Sequence, residues 1–162
     1  DGLAAALHRP GTVLIHHQPT GRPHSGPPHL HDKEIIMAYQ HDIQNAYDHI
    51  KRAQRYFNAC CAFEISRKGS QCSMRAGQEA DSAAYCIDHS CREAYLSDHL
   101  YTAAVMARAI GKLMWVLEDG FANGRSTGIE PTMYAASELI VQTLDHLDAW
   151  LKDWREAEDE QA

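Results

Sequence analysis

The chain has 162 residues, of which 44% are hydrophobic and 23% charged, a balance typical of one globular domain. Its formal net charge of −7 argues against nucleic acid as a partner, because binding to a phosphate backbone depends on concentrated Lys and Arg. No apolar run reaches the length that spans a bilayer, and the five cysteines form no disulfide framework, so we expect a cytoplasmic protein without membrane association.

Residues 1–36 differ in composition from the rest of the chain. They contain five of the six prolines and six of the eleven histidines, and they show no helical or strand period. We therefore predict a disordered leader over residues 1–36 and a single helical domain over residues 37–162. The alternatives for this leader are a native arm or a tract that collects metal through His16, His17, His24, His29 and His31.

Met37 is a candidate start of the native protein. Lys33 and Glu34 precede it, and the codons AAG GAG for this pair would resemble a bacterial ribosome-binding sequence a few bases before an ATG. In that case residues 1–36 are a translated upstream region or a cloning scar.

Two amphipathic helices are predicted after the leader. The first covers residues 38–66, and basic residues with a glycine at 67–70 predict its end and a loop to about Gly77. The second covers residues 78–96. Apolar or small residues recur three and four apart on both helices, at Ile43, Ala46, Ile50, Ala53, Phe57, Cys60, Cys61 and Ile65 on the first and at Ala80, Ala83, Ala84, Ile87, Cys91 and Ala94 on the second.

The third predicted helix is the most apolar part of the chain. It begins at the Ser97-Asp98 cap and ends before Gly120, and only Arg108 and Lys112 interrupt its middle. We therefore expect a core helix that three companions enclose. Arg108 and Lys112 then form its solvent window or pair with acidic residues of a neighbouring helix.

The fourth predicted helix begins near Pro131 and has the cleanest period of the sequence. Its apolar stripe consists of Met133, Ala136, Ile140, Leu144, Leu147, Leu151 and Trp154, and an acidic tail that we expect to be frayed follows it. No alternating run of β-branched residues indicates a strand. The predicted fold class is all-α, a four-helix antiparallel bundle.

Two candidate chemistries lie near the junction of the second and third helices. Cys86, His89 and Glu93 share a helix face at spacings of three and four, so they could provide zinc ligands, with a further ligand from His49, His99 or His146. A second candidate is the ten-residue segment from Arg92 to Tyr101, which resembles the signature of HEPN-family ribonucleases. The resemblance implies that His99 transfers a proton while Arg92 stabilises charge on an RNA phosphate, with Tyr101 beside them. Glu93 stands where that family has a small polar residue.

A reactive thiol and an aromatic pair complete the candidates. Among the cysteines, Cys72 in the predicted loop has several cationic neighbours that favour its thiolate. Trp150 and Trp154 lie one turn apart at the edge of the fourth apolar stripe, where one of them would suit a protein interface.

The function that we expect is protein–protein binding without catalysis, as a regulator, adaptor or inhibitor. Its partner-binding residues would be Trp150 and Trp154, it would use no cofactor, and a homodimer is one form that the binding could take. Two alternatives stay open, a HEPN-like ribonuclease with Arg92, His99 and Tyr101, and a zinc-binding protein with Cys86, His89 and Glu93.

Overall fold

A computed structural model describes residues 30–62, 67–90, 98–124 and 129–161, with side chains from Tyr39 onward. Four helices account for these ranges: α1 (Leu30–Ala62), α2 (Arg67–Ser90), α3 (Asp98–Ala122) and α4 (Ile129–Gln161). The described residues contain no strand, so the predicted all-α four-helix fold is confirmed. Contacts between Cα atoms divide the chain into two units, Asp1–Ile36 and Met37–Ala162, and the second unit contains α2, α3, α4 and most of α1.

Contacts between α1 and α2 show that these two helices are antiparallel. His49 lies 2.6 Å from Glu79, and two turns further along α1 the ring of Tyr56 lies beneath the guanidinium of Arg75, which is earlier in α2. Residues later in α1 therefore contact residues earlier in α2, as in an antiparallel pair.

The same relation holds between α2 and α3. Near the start of α2, the hydroxyl of Ser70 donates to the carbonyl of Glu118, which is late in α3. Near the end of α2, the carboxylate of Asp88 pairs with Arg108, which is earlier in α3. At the other side of α3, His99 in the first turn meets His146 in the second half of α4.

The core contains the apolar stripes that the sequence predicts for α1, α2 and α4, together with one face of α3. Burial of each large aliphatic side chain contributes roughly 1.5–3 kcal/mol. The confirmed stripe residues are Ile43, Ala46, Ile50, Ala53, Phe57 and Cys60 in α1, Ala80, Ala83, Ala84 and Ile87 in α2, and Ala136, Ile140, Leu144, Leu147 and Leu151 in α4. Ile65, Cys91 and Ala94 lie outside the described residues.

The predicted loop over residues 67–77 is wrong, because α2 begins at Arg67. Two glycines that suggested a turn, Gly69 and Gly77, are buried within the helix. A Cβ atom at Gly77 would lie 3.2 Å from the Cβ of Met114 and 3.6 Å from the carbonyl oxygen of Gly111. The glycine at position 77 therefore permits a close approach of α2 to α3 and does not end a helix.

Three helix ends also differ from their predicted positions. α1 begins at Leu30 and not near Ala38, so the last residues of the predicted leader belong to a helix, while residues 1–29 lie outside the described part and their predicted disorder stays a prediction. No proline follows Pro28 until Pro131, so nothing in the sequence forces a later start. α3 continues through Gly120 to Ala122, and the chain then turns at Gly124, whose φ is 64°. The acidic tail is helical to Gln161 and exposed, so its predicted fraying is wrong.

By length and composition, α3 could cross a membrane, with 25 residues and a mean hydropathy of 1.3 over its most apolar window. The expectation that no segment reaches this length is therefore wrong for α3. It is the one such helix among the described residues, and core helices of bundles pass the same test. One face of α3 is buried in the core, including Leu100, Ala103, Ala107, Ile110, Met114 and Leu117.

Candidate functional site

The opposite face of α3 carries apolar and charged side chains in contact with solvent. Trp115 is 74% exposed and Val116 is 56% exposed. Lys112 lies about one turn before them and Asp119 about one turn after them, and these four residues line one shallow depression. We call this set the Trp115 surface. The prediction that three companions enclose α3 is wrong along this strip.

A groove between α2 and α3 adjoins the Trp115 surface. It is lined by Asp81, Ala84, Tyr85, Asp88, Arg108 and Lys112, and we call it the α2–α3 groove. Tyr85 is 66% exposed, and Lys112 belongs to both the groove and the Trp115 surface. Arg108 combines the two roles that the sequence leaves open, since it is partly exposed and pairs with Asp88 of the neighbouring helix.

Asp81 lines this groove, and its carboxylate lies over the backbone of α3 at Gly111. A Cβ atom at Gly111 would overlap the Asp81 carboxylate, so the glycine makes room for that side chain. Partial burial raises the pKa of Asp81 above its usual range, because the surrounding protein replaces water around the charged form.

A polar cluster joins α1 to α2 on another part of the molecule. The Oε2 atom of Glu79 lies 2.6 Å from Nδ1 of His49 and accepts a hydrogen bond of 3.2 Å from Nε of Arg52. Burial alone would raise the pKa of Glu79, but the hydrogen bonds from His49 and Arg52 and the charge of the guanidinium outweigh it and lower the pKa. The cluster holds an ionised carboxylate between two helices, which is a structural role for His49.

The predicted ribonuclease residues are only partly described. His99 and His146 meet with their Nδ1 atoms 3.0 Å apart, so one ring donates a hydrogen bond and the other accepts it. Tyr101 is half-buried two residues later. Arg92 lies outside the described residues, so the arrangement of Arg92 with His99 stays a prediction.

The predicted zinc ligands are likewise incomplete. Burial raises the pKa of the Cys86 thiol, and the charge of Asp42 adds to that effect. His89 is exposed and stacks on Tyr85, with ring centroids 5.3 Å apart. Glu93 lies outside the described residues, and within the described ranges no three His, Cys, Asp or Glu side chains are placed to hold a metal ion.

Cys72 lies in α2 and not in a loop, which corrects the environment that the sequence predicts for it. It is half-buried and packs against the core. Burial raises the pKa of Cys60 to about 12 and also raises the pKa of Cys61, so both thiols are weak nucleophiles near neutral pH. The Cys60 thiol donates a hydrogen bond of 3.0 Å to the carbonyl of Phe57.

The predicted partner-binding tryptophans lie near the end of α4. Their rings stack with centroids 5.7 Å apart and an interplanar angle of 15°, and Trp150 packs against the core. The indole N–H of Trp154 is buried and has no acceptor among the described residues. Both rings are less exposed than Trp115, and their role in binding stays a prediction.

The sequence patterns described above do not indicate Trp115, Val116 or Tyr85 as site residues. One signal could have identified the first two, because Lys112 and Asp119 lie seven residues apart and therefore on one line along the helix. Trp115 and Val116 lie on either side of that line, on the same face of the helix. An apolar pair between two charges at helical spacing indicates an exposed strip even in a helix that is otherwise apolar.

Comparison of this chain with family models, curated proteins and solved structures found no match. The function of the chain is therefore inferred from the geometry of its own residues.

Proposed function

We propose that this chain acts by binding another protein, as a small regulator, adaptor or inhibitor, and that it has no catalytic chemistry of its own. The binding site is the Trp115 surface together with the adjoining α2–α3 groove. The observation that carries this proposal is the 74% exposure of Trp115 next to a half-exposed valine, on a helix whose other face is fully buried.

The residue types of this site are those that protein interfaces use. Tryptophan, tyrosine and arginine are enriched at the centres of interfaces, and charged residues form their rims. Here Trp115 and Tyr85 are exposed, and Lys112 lies between the two parts of the site. Removal of the indole from water would supply the apolar part of the binding energy, and the charges would orient the partner.

A cytoplasmic location is part of the same proposal. Cys60, Cys61, Cys72 and Cys86 are free thiols, and reduced cysteines are typical of a cytosolic protein.

Affinity capture with matched variants tests the proposed function. The full chain, Trp115→Ala and Tyr134→Ala would each be immobilised and exposed to a native lysate, and captured proteins would be identified by mass spectrometry. Tyr134 is the control, because it is an aromatic residue on α4 with a similar exposure of 69%. We expect a protein that the wild type and Tyr134→Ala retain and that Trp115→Ala loses.

Three results would contradict the proposal. With Trp150→Ala immobilised in the same way, a captured protein that Trp115→Ala retains and Trp150→Ala loses would move the interface to the end of α4. Capture of the same proteins by all variants would show that Trp115 is not part of an interface. Cleavage of RNA by the purified chain, abolished by Arg92→Ala or His99→Ala, would replace the binding function with a nuclease.

A further inference from the structure

We infer that the occupant of the Trp115 surface is a second copy of this chain, with the two α3 helices packed antiparallel about a twofold axis. The inference depends on the proposed function, because it takes the same surface as a binding site and names its partner. The conclusion follows from the order of charged and apolar residues along the exposed strip of α3.

The strip is symmetric in position and opposite in charge about its centre. Lys112 and Asp119 are equally far in sequence from the point midway between Trp115 and Val116. Because each residue turns a helix by about 100°, all four lie on one side of α3, and the two charges are about 10 Å apart along its axis. The basic residue is before the apolar pair and the acidic residue is after it.

A twofold axis through that central point brings complementary groups together. In an antiparallel pair of α3 helices, Lys112 of each copy lies opposite Asp119 of the other, and the Trp115–Val116 pairs of the two copies meet at the axis. Each ion pair therefore occurs twice, as in any isologous interface. The interface has an apolar centre with an ion pair at each edge, which is the usual arrangement of a dimer contact.

The charges also select the antiparallel arrangement over the parallel one. A parallel pair in register would place Lys112 against Lys112 and Asp119 against Asp119, and like charges in contact oppose binding. The strip is close to neutral although each copy has a net charge of −7. Two otherwise acidic molecules therefore meet at a strip that carries one basic and one acidic residue.

Charge reversal with rescue tests this inference in the full chain. Sedimentation velocity would be measured over a range of concentrations for the wild type, Lys112→Glu, Asp119→Lys and the double variant. We expect a wild-type dimer that each single variant weakens by about tenfold or more, since each one creates two like-charged contacts. The double variant restores opposite charges at both edges and should dimerise within about threefold of the wild type.

Two controls separate an interface effect from a folding effect. The Asp119 side chain also accepts a hydrogen bond from Asn123, the residue after the end of α3. The double variant loses that bond as well, so its recovery assigns the effect to the interface. Trp115→Ala should dimerise at least about tenfold more weakly, while Tyr134→Ala should dimerise like the wild type. Circular dichroism confirms that each variant keeps its helical content.

The outcomes distinguish this inference from the proposed function. A wild type that stays monomeric at high concentration, while Trp115→Ala still loses a captured protein, overturns the homodimer and leaves the binding function. If the wild type dimerises and neither the charge reversals nor Trp115→Ala weaken the dimer, the dimer uses another surface. This result also overturns the inference. If the chain is monomeric and no captured protein depends on Trp115, both the homodimer and the proposed binding function are wrong.

Discussion

Glu79 connects two helices through a single carboxylate oxygen. Its Oε2 atom contacts His49 and Arg52, both on α1, from a position on α2. The Glu79 side chain is 23% exposed, so solvent screens these contacts less than it screens a surface ion pair. Because the folded state lowers the pKa of this carboxyl, ionisation of Glu79 and folding of the chain favour each other.

Glu79→Gln is expected to lower the free energy of unfolding by about 1 kcal/mol at pH 7, since it removes the charge but keeps an acceptor oxygen. The contribution of Glu79 is fully present above its unfolded pKa of about 4.3, and it is lost as the pH falls through the lower folded value. Urea denaturation at pH 7 and pH 3 checks this, and the difference between the two proteins should be smaller at pH 3 than at pH 7. Glu158→Gln is the control, because Glu158 is exposed on the tail. An equal difference at both pH values would contradict the electrostatic explanation.

At the scale of elements, the approach of α2 to α3 depends on small residues. Gly77 of α2 lies against Met114 of α3, and Gly111 of α3 lies under Asp81 of α2. The two glycines differ in what a methyl group would meet. At Gly77 the neighbour is a Cβ atom fixed to the backbone of a buried residue, whereas at Gly111 it is the carboxylate end of an exposed side chain.

Alanine at these two positions is therefore expected to have opposite effects. Gly77→Ala should destabilise the protein by about 1–2 kcal/mol, because the helices must move apart and this exceeds the gain in helix propensity. Gly111→Ala should be neutral or stabilising by up to about 1 kcal/mol, because Asp81 can rotate into solvent. Thermal and urea unfolding of both variants would measure the difference. Equal destabilisation would show that the Asp81 side chain is not able to move.

The sequence predicts which face of α1, α2 and α4 is buried, because residues such as Ile50, Ile87 and Leu147 recur at the helical period. It does not predict the start of α2. A glycine such as Gly77 can end a helix or permit close packing within one, and the sequence alone does not distinguish the two roles. It also misses Trp115. In an apolar helix, the positions of the neighbouring helices decide which strip faces solvent, and those positions are not local properties of the sequence.

At the scale of the whole molecule, negative charge is concentrated beyond the core. Leu151 is the last buried residue of α4, and the helix then continues to Gln161 with exposed side chains apart from half-buried Trp154. Four carboxylates lie between residues 156 and 160. They are near the negative end of the α4 dipole, where acidic groups are unfavourable.

Removal of residues 156–162 is expected to leave the free energy of unfolding within about 0.5 kcal/mol of the full chain. The deletion changes the net charge from −7 to −3 and removes one exposed ion pair, Lys152 with Glu156 at 3.9 Å. Exposed ion pairs contribute little to the free energy of unfolding. The deletion also removes the repulsion between the acidic side chains and the negative end of the α4 dipole, which offsets the loss of the pair. Urea denaturation of both lengths at low and moderate salt checks this. A loss above about 1 kcal/mol would show that the tail packs against the bundle.

The three tryptophans are in two different environments, and this gives the molecule natural optical reporters. The stacked rings of Trp150 and Trp154 are close enough for their transitions to couple, so they should dominate the near-ultraviolet circular dichroism and lose that signal when the end of α4 melts. Trp115 should emit at longer wavelength and be quenched by acrylamide, because water surrounds its indole. Fluorescence of the unlabelled chain can therefore follow the occupancy of the Trp115 surface, while its near-ultraviolet circular dichroism follows the unfolding of the end of α4.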